Sequence, residues 1–272
     1  MLGSLVHESL RVSYERLVLL QWPDVSLTGA TVQSTVQAAV TNTFAAHAAS
    51  QGTGHALLWT LAREQVTELV TAAVSSDQAE YQATGFRPVA FEVAAQGIVP
   101  LESDASSAPL KLRGTLDRVD YRAEPPALRI VDYKFKQGSE ITAVDRNLAL
   151  SAVRGFRLQP PLYARMTLPS FPVVTEVQLL FLAPQWKQPV SRSTFDAGLW
   201  TGHTGDMIRQ TLSTLIQGIA RREFFILPDG YCDYCEFSGA CRRHDSMAWW
   251  RSYRSPQARV LRKLRRQKVH DE

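Results

Sequence analysis

The sequence predicts a mixed α/β fold, a central β-sheet flanked by helices with a helical N-terminal elaboration. Three observations carry that expectation. Apolar residues recur at helical spacing through the first third of the chain, two runs rich in Leu, Val, Ile and Tyr flank a turn cluster at Ala123-Glu124-Pro125-Pro126, and strand-like and helix-like segments alternate beyond it.

Leu5, Leu10, Leu17 and Leu20 mark a first amphipathic helix, Val32, Val36, Val40 and Phe44 a second, and Leu58, Leu61, Leu69 and Ala73 a third. Arg87 to Ala95 reads as a strand, and Pro100 to Pro109, rich in Ser, Asp and Ala, as a loop. The runs on either side of Ala123 to Pro126 read as a hairpin. Proline forbids a two-residue primed turn there, so a four-residue loop is expected. That loop pairs Val119 with Ile130, Tyr121 with Leu128 and Asp117 with Asp132 on one face, and Asp120 with Arg129 on the other. A one-residue slip loses both the apolar pairs and the opposite-charge pair. A helix is expected from Gln159, then strands over Val173 to Ala183 and Val190 to Phe195, and a helix over His203 to Arg222. The domain reading is 1–86 helical, 87–225 an α/β core, and 226–272 a cysteine and basic segment packed on that core.

The chemistry gathers at the end of the second hairpin strand. Side chains alternate across a strand, so Asp132 and Lys134 share a face while Tyr133 points away. Opposed residues of an antiparallel pair have Cβ atoms roughly 4.5 to 5.5 Å apart, close enough for Asp117 and Asp132 to share one hard divalent cation. Without a cation the two carboxylates repel by roughly 1 kcal/mol in water and about 3 kcal/mol at an effective dielectric of 20. Two acids and a lysine converging there suit metal-dependent phosphodiester hydrolysis. Glu92, on the strand before the hairpin, is equally well read as a further acid near the metal or as a solvated strand residue.

All three cysteines fall in Cys232-x2-Cys235-x5-Cys241. An odd number this closely spaced argues for a metal or iron–sulfur site over a disulfide framework. Cys232, Cys235, Cys241 and His244 would together suit a Cys3His zinc site. With 272 residues, 45% apolar content and no apolar run long enough to span a bilayer, the chain can bury a large core and a membrane partner is not expected. The net charge of +4 is a property of the C-terminal segment, because residues 251–268 carry eight Lys or Arg and no acid. Trp249 and Trp250 with Arg251, Tyr253 and Arg254 mix aromatics and arginines, a composition suited either to nucleic acid or to packing a terminal helix.

In these motifs and their order the chain resembles the RecB-like branch of the PD-(D/E)XK nucleases, which includes the nuclease domains of AddB-type helicase-nuclease proteins. Gly3-Ser4-Leu5-Val6-His7 resembles the family's G-x-x-x-H, Gly114 to Asp120 its G-x-x-D-R-h-D strand, Asp132-Tyr133-Lys134 its D-Y-K, and Gln159-Pro160-Pro161-Leu162-Tyr163 its Q-x-x-L-Y. The resemblance implies a restriction-endonuclease-like core. It implies that His7, Asp117, Asp132 and the Tyr133 carbonyl ligate Mg2+ or Mn2+, that Lys134 orients the attacking water, and that Gln159 and Tyr163 stand beside the site. It also implies a deoxyribonuclease, exonuclease rather than endonuclease, acting on single strands or duplex ends in repair or recombination, with a helicase subunit or domain as partner and a bacterial cytoplasmic setting. For the cysteines it implies a [4Fe-4S] cluster whose first ligand lies upstream of G-x-x-x-H. Met1 stands two residues before Gly3, so either the chain is the C-terminal piece of a longer protein or the site differs, with zinc as the alternative. A non-catalytic DNA-binding or scaffold domain of the same fold is the other function class. Mutually repelling acids kept beside a lysine argue against it.

Overall fold

The computed structural model describes residues 2–101, 109–136, 141–169, 171–223, 232, 235, 237–241 and 245–269. The early helical periodicity builds α1 (Leu2–Leu19), α2 (Gly29–Gln51) and α3 (Ala56–Thr84). The Thr28 hydroxyl accepts the Thr31 N–H at the start of α2, and Gly85, in the left-handed region at φ 75°, closes α3 by donating its N–H to the Tyr81 carbonyl.

Three strands follow, β1 (Arg87–Val99), β2 (Leu110–Arg122) and β3 (Ala127–Phe135). Then come α4 (Ala143–Arg146), α5 (Leu148–Val153), α6 (Gln159–Tyr163), β4 (Met166–Thr167), β5 (Val174–Leu182) and β6 (Val190–Asp196), and finally α7 (His203–Ala220), α8 (Ser246–Arg254) and α9 (Pro256–Arg265). Of the loop expected over Pro100 to Pro109, residues 102–108 lie outside those described. Residues 1–99, 110–148 and 159–198 form one compact unit, and residues 100–109, 149–158 and 199–272 form another.

The first unit is built on a mixed six-stranded sheet of order β4-β1-β2-β3-β5-β6. Only β3 and β5 run parallel, because the chain between them is long enough to cross over; the other neighbours are antiparallel. The hairpin has the expected register, with Val119 opposite Ile130, Asp120 opposite Arg129 and Tyr121 opposite Leu128 around a turn at residues 123–126. The short strand β4 carries no periodic signal of its own. It pairs with β1 at Gly97, where a Cβ would sit 2.3 Å from the Arg165 carbonyl oxygen, so only glycine admits that approach.

The core of this unit lies between the helices and one sheet face. Leu5, Val6, Leu10, Tyr14 and Leu17 of α1, Val36, Val40 and Phe44 of α2, and Val66, Leu69, Val70, Ala73 and Val74 of α3 close over Val131, Tyr133, Leu180 and Leu182. Three expected positions differ, the first being Leu20, which lies one residue past the end of α1 and is exposed. Leu58 and Leu61 are 65% and 51% exposed, because the packed stripe at that end of α3 runs through Trp59 and Ala62 instead. Trp59 takes the contact with Phe44, their rings 4.8 Å apart.

The same sheet face carries a buried ionic network. Asp77 of α3 meets Arg118 of β2 at 2.6 Å and Arg192 of β6 at 2.6 Å, and accepts a hydrogen bond from the Tyr14 hydroxyl of α1. Arg118 also pairs with Asp120 at 2.8 Å, and Arg129 meets Asp120 at 3.4 Å and Glu80 at 2.8 Å. Arg118 and Arg129 are essentially inaccessible to solvent. Burial pushes the Asp77 carboxyl up, but Arg118 above all, with Arg192 and the Tyr14 hydroxyl, outweighs it and brings the pKa from 3.8 down to about 2.

Removing one member of such a network leaves the others charged and buried. Asp77→Ala should therefore cost on the order of 3 kcal/mol of stability by urea unfolding, whereas Asp24→Ala, which breaks an exposed pair with Arg87, should cost less than about 1 kcal/mol. The depressed pKa sets the sign of the pH dependence: the Asp77 contribution is complete above its ordinary 3.8 and disappears as pH falls through about 2. The stability gap between wild type and Asp77→Asn should accordingly narrow on acidification across that window.

Candidate active site

The pleat of β3 puts Asp132 and Lys134 on the sheet face opposite the ionic network. Lys134 Nζ lies 2.5 Å from Asp132 Oδ2 and donates to Gln159 Oε1 at 2.8 Å. Gln159 Nε2 in turn donates to the Tyr163 hydroxyl at 3.2 Å. Helix α6 has only five residues, with Pro160 and Pro161 in its first turn, where absent N–H donors are not missed. Its i, i+4 geometry puts Gln159 and Tyr163 side by side, as the sequence suggests.

Asp117 stands where β2 leaves the β3 ladder. The last paired residues there are Arg118 and Val131, and one step further Asp117 Oδ2 accepts the Tyr133 N–H at 2.8 Å. The expected pairing of Asp117 with Asp132 thus falls one step beyond the ladder, where the Asp117 side chain bonds the amide of Tyr133 instead. Asp117 Oδ2 also lies 3.4 Å from His7 Nδ1, and the His7 ring meets the Tyr133 ring edge-on at 5.6 Å. Helix α1 fixes His7 there by burying its two neighbours on either side of the turn, Val6 and Leu10.

The carboxylates repel one another. Burial raises the Asp117 pKa, the Asp132 charge adds to the rise, and the Tyr133 N–H, His7 and Lys134 oppose it. Glu92 is raised as well, by burial and then by Asp117. Burial and the Asp132 charge push the Tyr163 hydroxyl to about 12, so it stays protonated at neutral pH. Among the described residues no three His, Cys, Asp or Glu side chains are grouped closely enough to hold an ion jointly. Each acid is turned to its own partner, Asp132 to Lys134 and Asp117 to the Tyr133 amide and His7, as like-charge repulsion requires.

The donor set nonetheless fits a hard divalent cation. Asp132 Oδ2 is buried, with the Lys134 ammonium 2.5 Å away as its charge partner. Carboxylate oxygens with one imidazole suit magnesium or manganese.

Sequence reasoning left Glu92 undecided, and the structure puts it in the acidic group. Glu92 has φ 48°, a left-handed conformation unusual for a non-glycine residue, between the paired positions Phe91↔Arg118 and Val93↔Leu116. With Gly3, Ser4, His7 and Glu8 it lines a concavity of about 570 Å³. In the β1–β2 register Glu92 falls level with Asp117. Beyond the end of β3, Lys136 Nζ meets Asp145 Oδ2 at 2.7 Å, and Asp145 forms a capping box with Thr142 at the start of α4.

The cysteine segment is turn-rich in its described parts. Cys235 N–H approaches the Cys232 carbonyl at 3.4 Å, Cys241 N–H donates to the Phe237 carbonyl at 2.9 Å, and no disulfide joins the three cysteines. His244 lies outside the described residues. Trp250, Arg251, Tyr253 and Arg254 fall on α8. No helix among the described residues is long and apolar enough to cross a membrane.

A comparison with curated proteins returns no match. The profile of the PD-(D/E)XK nuclease superfamily, whose members are generally metal-dependent nucleases, matches residues 1–242. That span includes His7, Asp117, Asp132, Lys134 and the Gln159 helix, on the mixed α/β sheet such nucleases share. This chain belongs to the PD-(D/E)XK nuclease superfamily.

Proposed function

We propose that the chain is a Mg2+- or Mn2+-dependent deoxyribonuclease of the RecB-like branch, hydrolysing phosphodiester bonds in DNA. An exonuclease role in repair or recombination, beside a helicase subunit or domain, is the biological setting this reading favours. The observation that supports it most is the ion contact of Lys134 with Asp132 on the strand face that also carries Asp117.

In this reading Asp117, Asp132, His7 and the Tyr133 carbonyl hold the cation, with Glu92 as a further carboxylate. A bound cation polarises a phosphoryl oxygen and lowers the pKa of a coordinated water. Lys134 orients the attacking water and offsets charge at the scissile phosphate. Gln159 fixes the Lys134 ammonium by accepting its hydrogen bond, and Tyr163, protonated at neutral pH, steadies Gln159 in turn. Cys232, Cys235 and Cys241 are proposed as ligands of a structural [4Fe-4S] cluster, with zinc as the competing occupant.

Degradation of linear DNA should require Mg2+ or Mn2+ and be abolished by Asp132→Ala. Lys134→Ala should lose roughly 10²- to 10³-fold in rate, the usual effect of deleting one positioned electrostatic group. Normal turnover by the Asp132 variant would dismiss the site. Because burial and repulsion raise the Asp117 pKa, its ionised form costs stability as pH rises through that pKa. Asp117→Asn should then be inactive yet melt about 2–4 °C higher than wild type near neutral pH in scanning fluorimetry. Iron and zinc analysis after anaerobic purification should find one of these metals, in an amount that falls in Cys235→Ser.

A further inference from the structure

We propose that α8 and α9 form a stacking platform for single-stranded DNA. The proposal deepens the nuclease reading and rests on it for the identity of the ligand. Trp249, Trp250 and Tyr253 stand at i, i+1 and i+4, on one face of α8, with ring planes within 22° of one another. Trp249 and Tyr253 lie 4.9 Å apart between centroids, and Trp250 and Tyr253 6.3 Å. Aromatics that merely anchor a terminal helix would be covered. Here α8 buries no residue, and Trp249, Trp250 and Tyr253 stay 37%, 43% and 40% exposed.

Helix α9 does the anchoring instead. Ala258 and Leu264 are buried, Arg154 Nε donates to the Gln267 carbonyl at 2.8 Å, and Arg265 Nη1 donates to the Arg154 carbonyl at 3.1 Å. Asp245 caps α8, and Ser255, which ends α8, caps α9 through the Ala258 N–H. The aromatic row is therefore held in place without being used as core.

Charge identifies the occupant. The Arg254 guanidinium lies 4.2 Å from the Trp250 ring centroid and that of Arg262 lies 3.9 Å from Tyr253. Arg262 Nη1 is buried and has no hydrogen-bond partner among the described residues. Arg251, Arg254, Arg259 and Arg262 form no ion pair among the described residues, and residues 246–269 contain no acid. Parallel exposed rings interleaved with unneutralised guanidinium groups match unpaired bases joined by phosphates. A duplex keeps its base faces stacked inside and offers the rings nothing.

The test is fluorescence anisotropy of the full chain, without added divalent cation, against labelled oligo(dT) of about 15 nucleotides and a blunt duplex of similar length. Trp250→Ala and Tyr253→Ala should each weaken oligo(dT) binding roughly tenfold and leave duplex binding within about twofold. Trp250→Phe should keep most of the affinity. Arg254→Gln should lower the salt slope of oligo(dT) binding by about 0.7. Unchanged oligo(dT) affinity in the double alanine variant, or equal losses on single strand and duplex, overturns the platform. Mn2+-dependent hydrolysis of bis(p-nitrophenyl) phosphate, too small to need the platform, should survive in the double variant and vanish in Asp132→Ala. Its absence from wild type would defeat the nuclease reading while leaving the oligo(dT) comparison to decide the platform.

Discussion

The pleat of two strands governs the first unit. Because side chains alternate, β2 and β3 send Asp117, Asp132 and Lys134 to one face and Arg118, Asp120, Arg129 and Tyr133 to the other. Each aspartate is thereby bonded in sequence to a residue locked on the buried side, Asp117 to Arg118 and Asp132 to Tyr133. Arg118 cannot turn without breaking its pairs to Asp77 and Asp120, and Tyr133 is enclosed by the α1 helix and the Arg118 side chain. The rigidity of the acidic face is borrowed from the ionic face behind it.

This arrangement explains why the acids can stay close despite their repulsion. Raised pKa values at Asp117 and Glu92 record a local cost, and the network and core on the reverse face supply the stability that sustains it. Lys134 beside Asp132, and His7 and the Tyr133 amide beside Asp117, each offset part of that repulsion.

What the sequence disclosed was local. The hairpin register followed from one turn length and three residue pairs, and the side-by-side placement of Gln159 and Tyr163 from helical spacing. Contacts between distant segments left no such trace. Nothing near Asp77 announces that it meets Arg118 and Arg192, because an acid within a long helix reads as solvated until the fold puts a sheet against it. The same holds for β4, two residues long, whose pairing shows only as a glycine at the point of close approach. Glu92 was ambiguous because its role depends on an irregular backbone angle that periodicity does not encode. The aromatic and basic C-terminal composition was plain in the sequence, but whether the rings were covered or bare was a question of packing.

The strand order carries a consequence for how the molecule assembles. Strands β2 and β3 are neighbours in sequence, so their hairpin closes a short loop, whereas β5 joins β3 only after the intervening chain has been laid down. Local closure costs little entropy and pairing across a long connection costs more, so the hairpin that carries Asp117 and Asp132 is the cheaper of the two pairings to close. Its fixity comes from α1, α3 and β6, which meet around the Arg118–Asp77 pair. In this protein the chemistry is drafted by nearby residues and made permanent by remote ones.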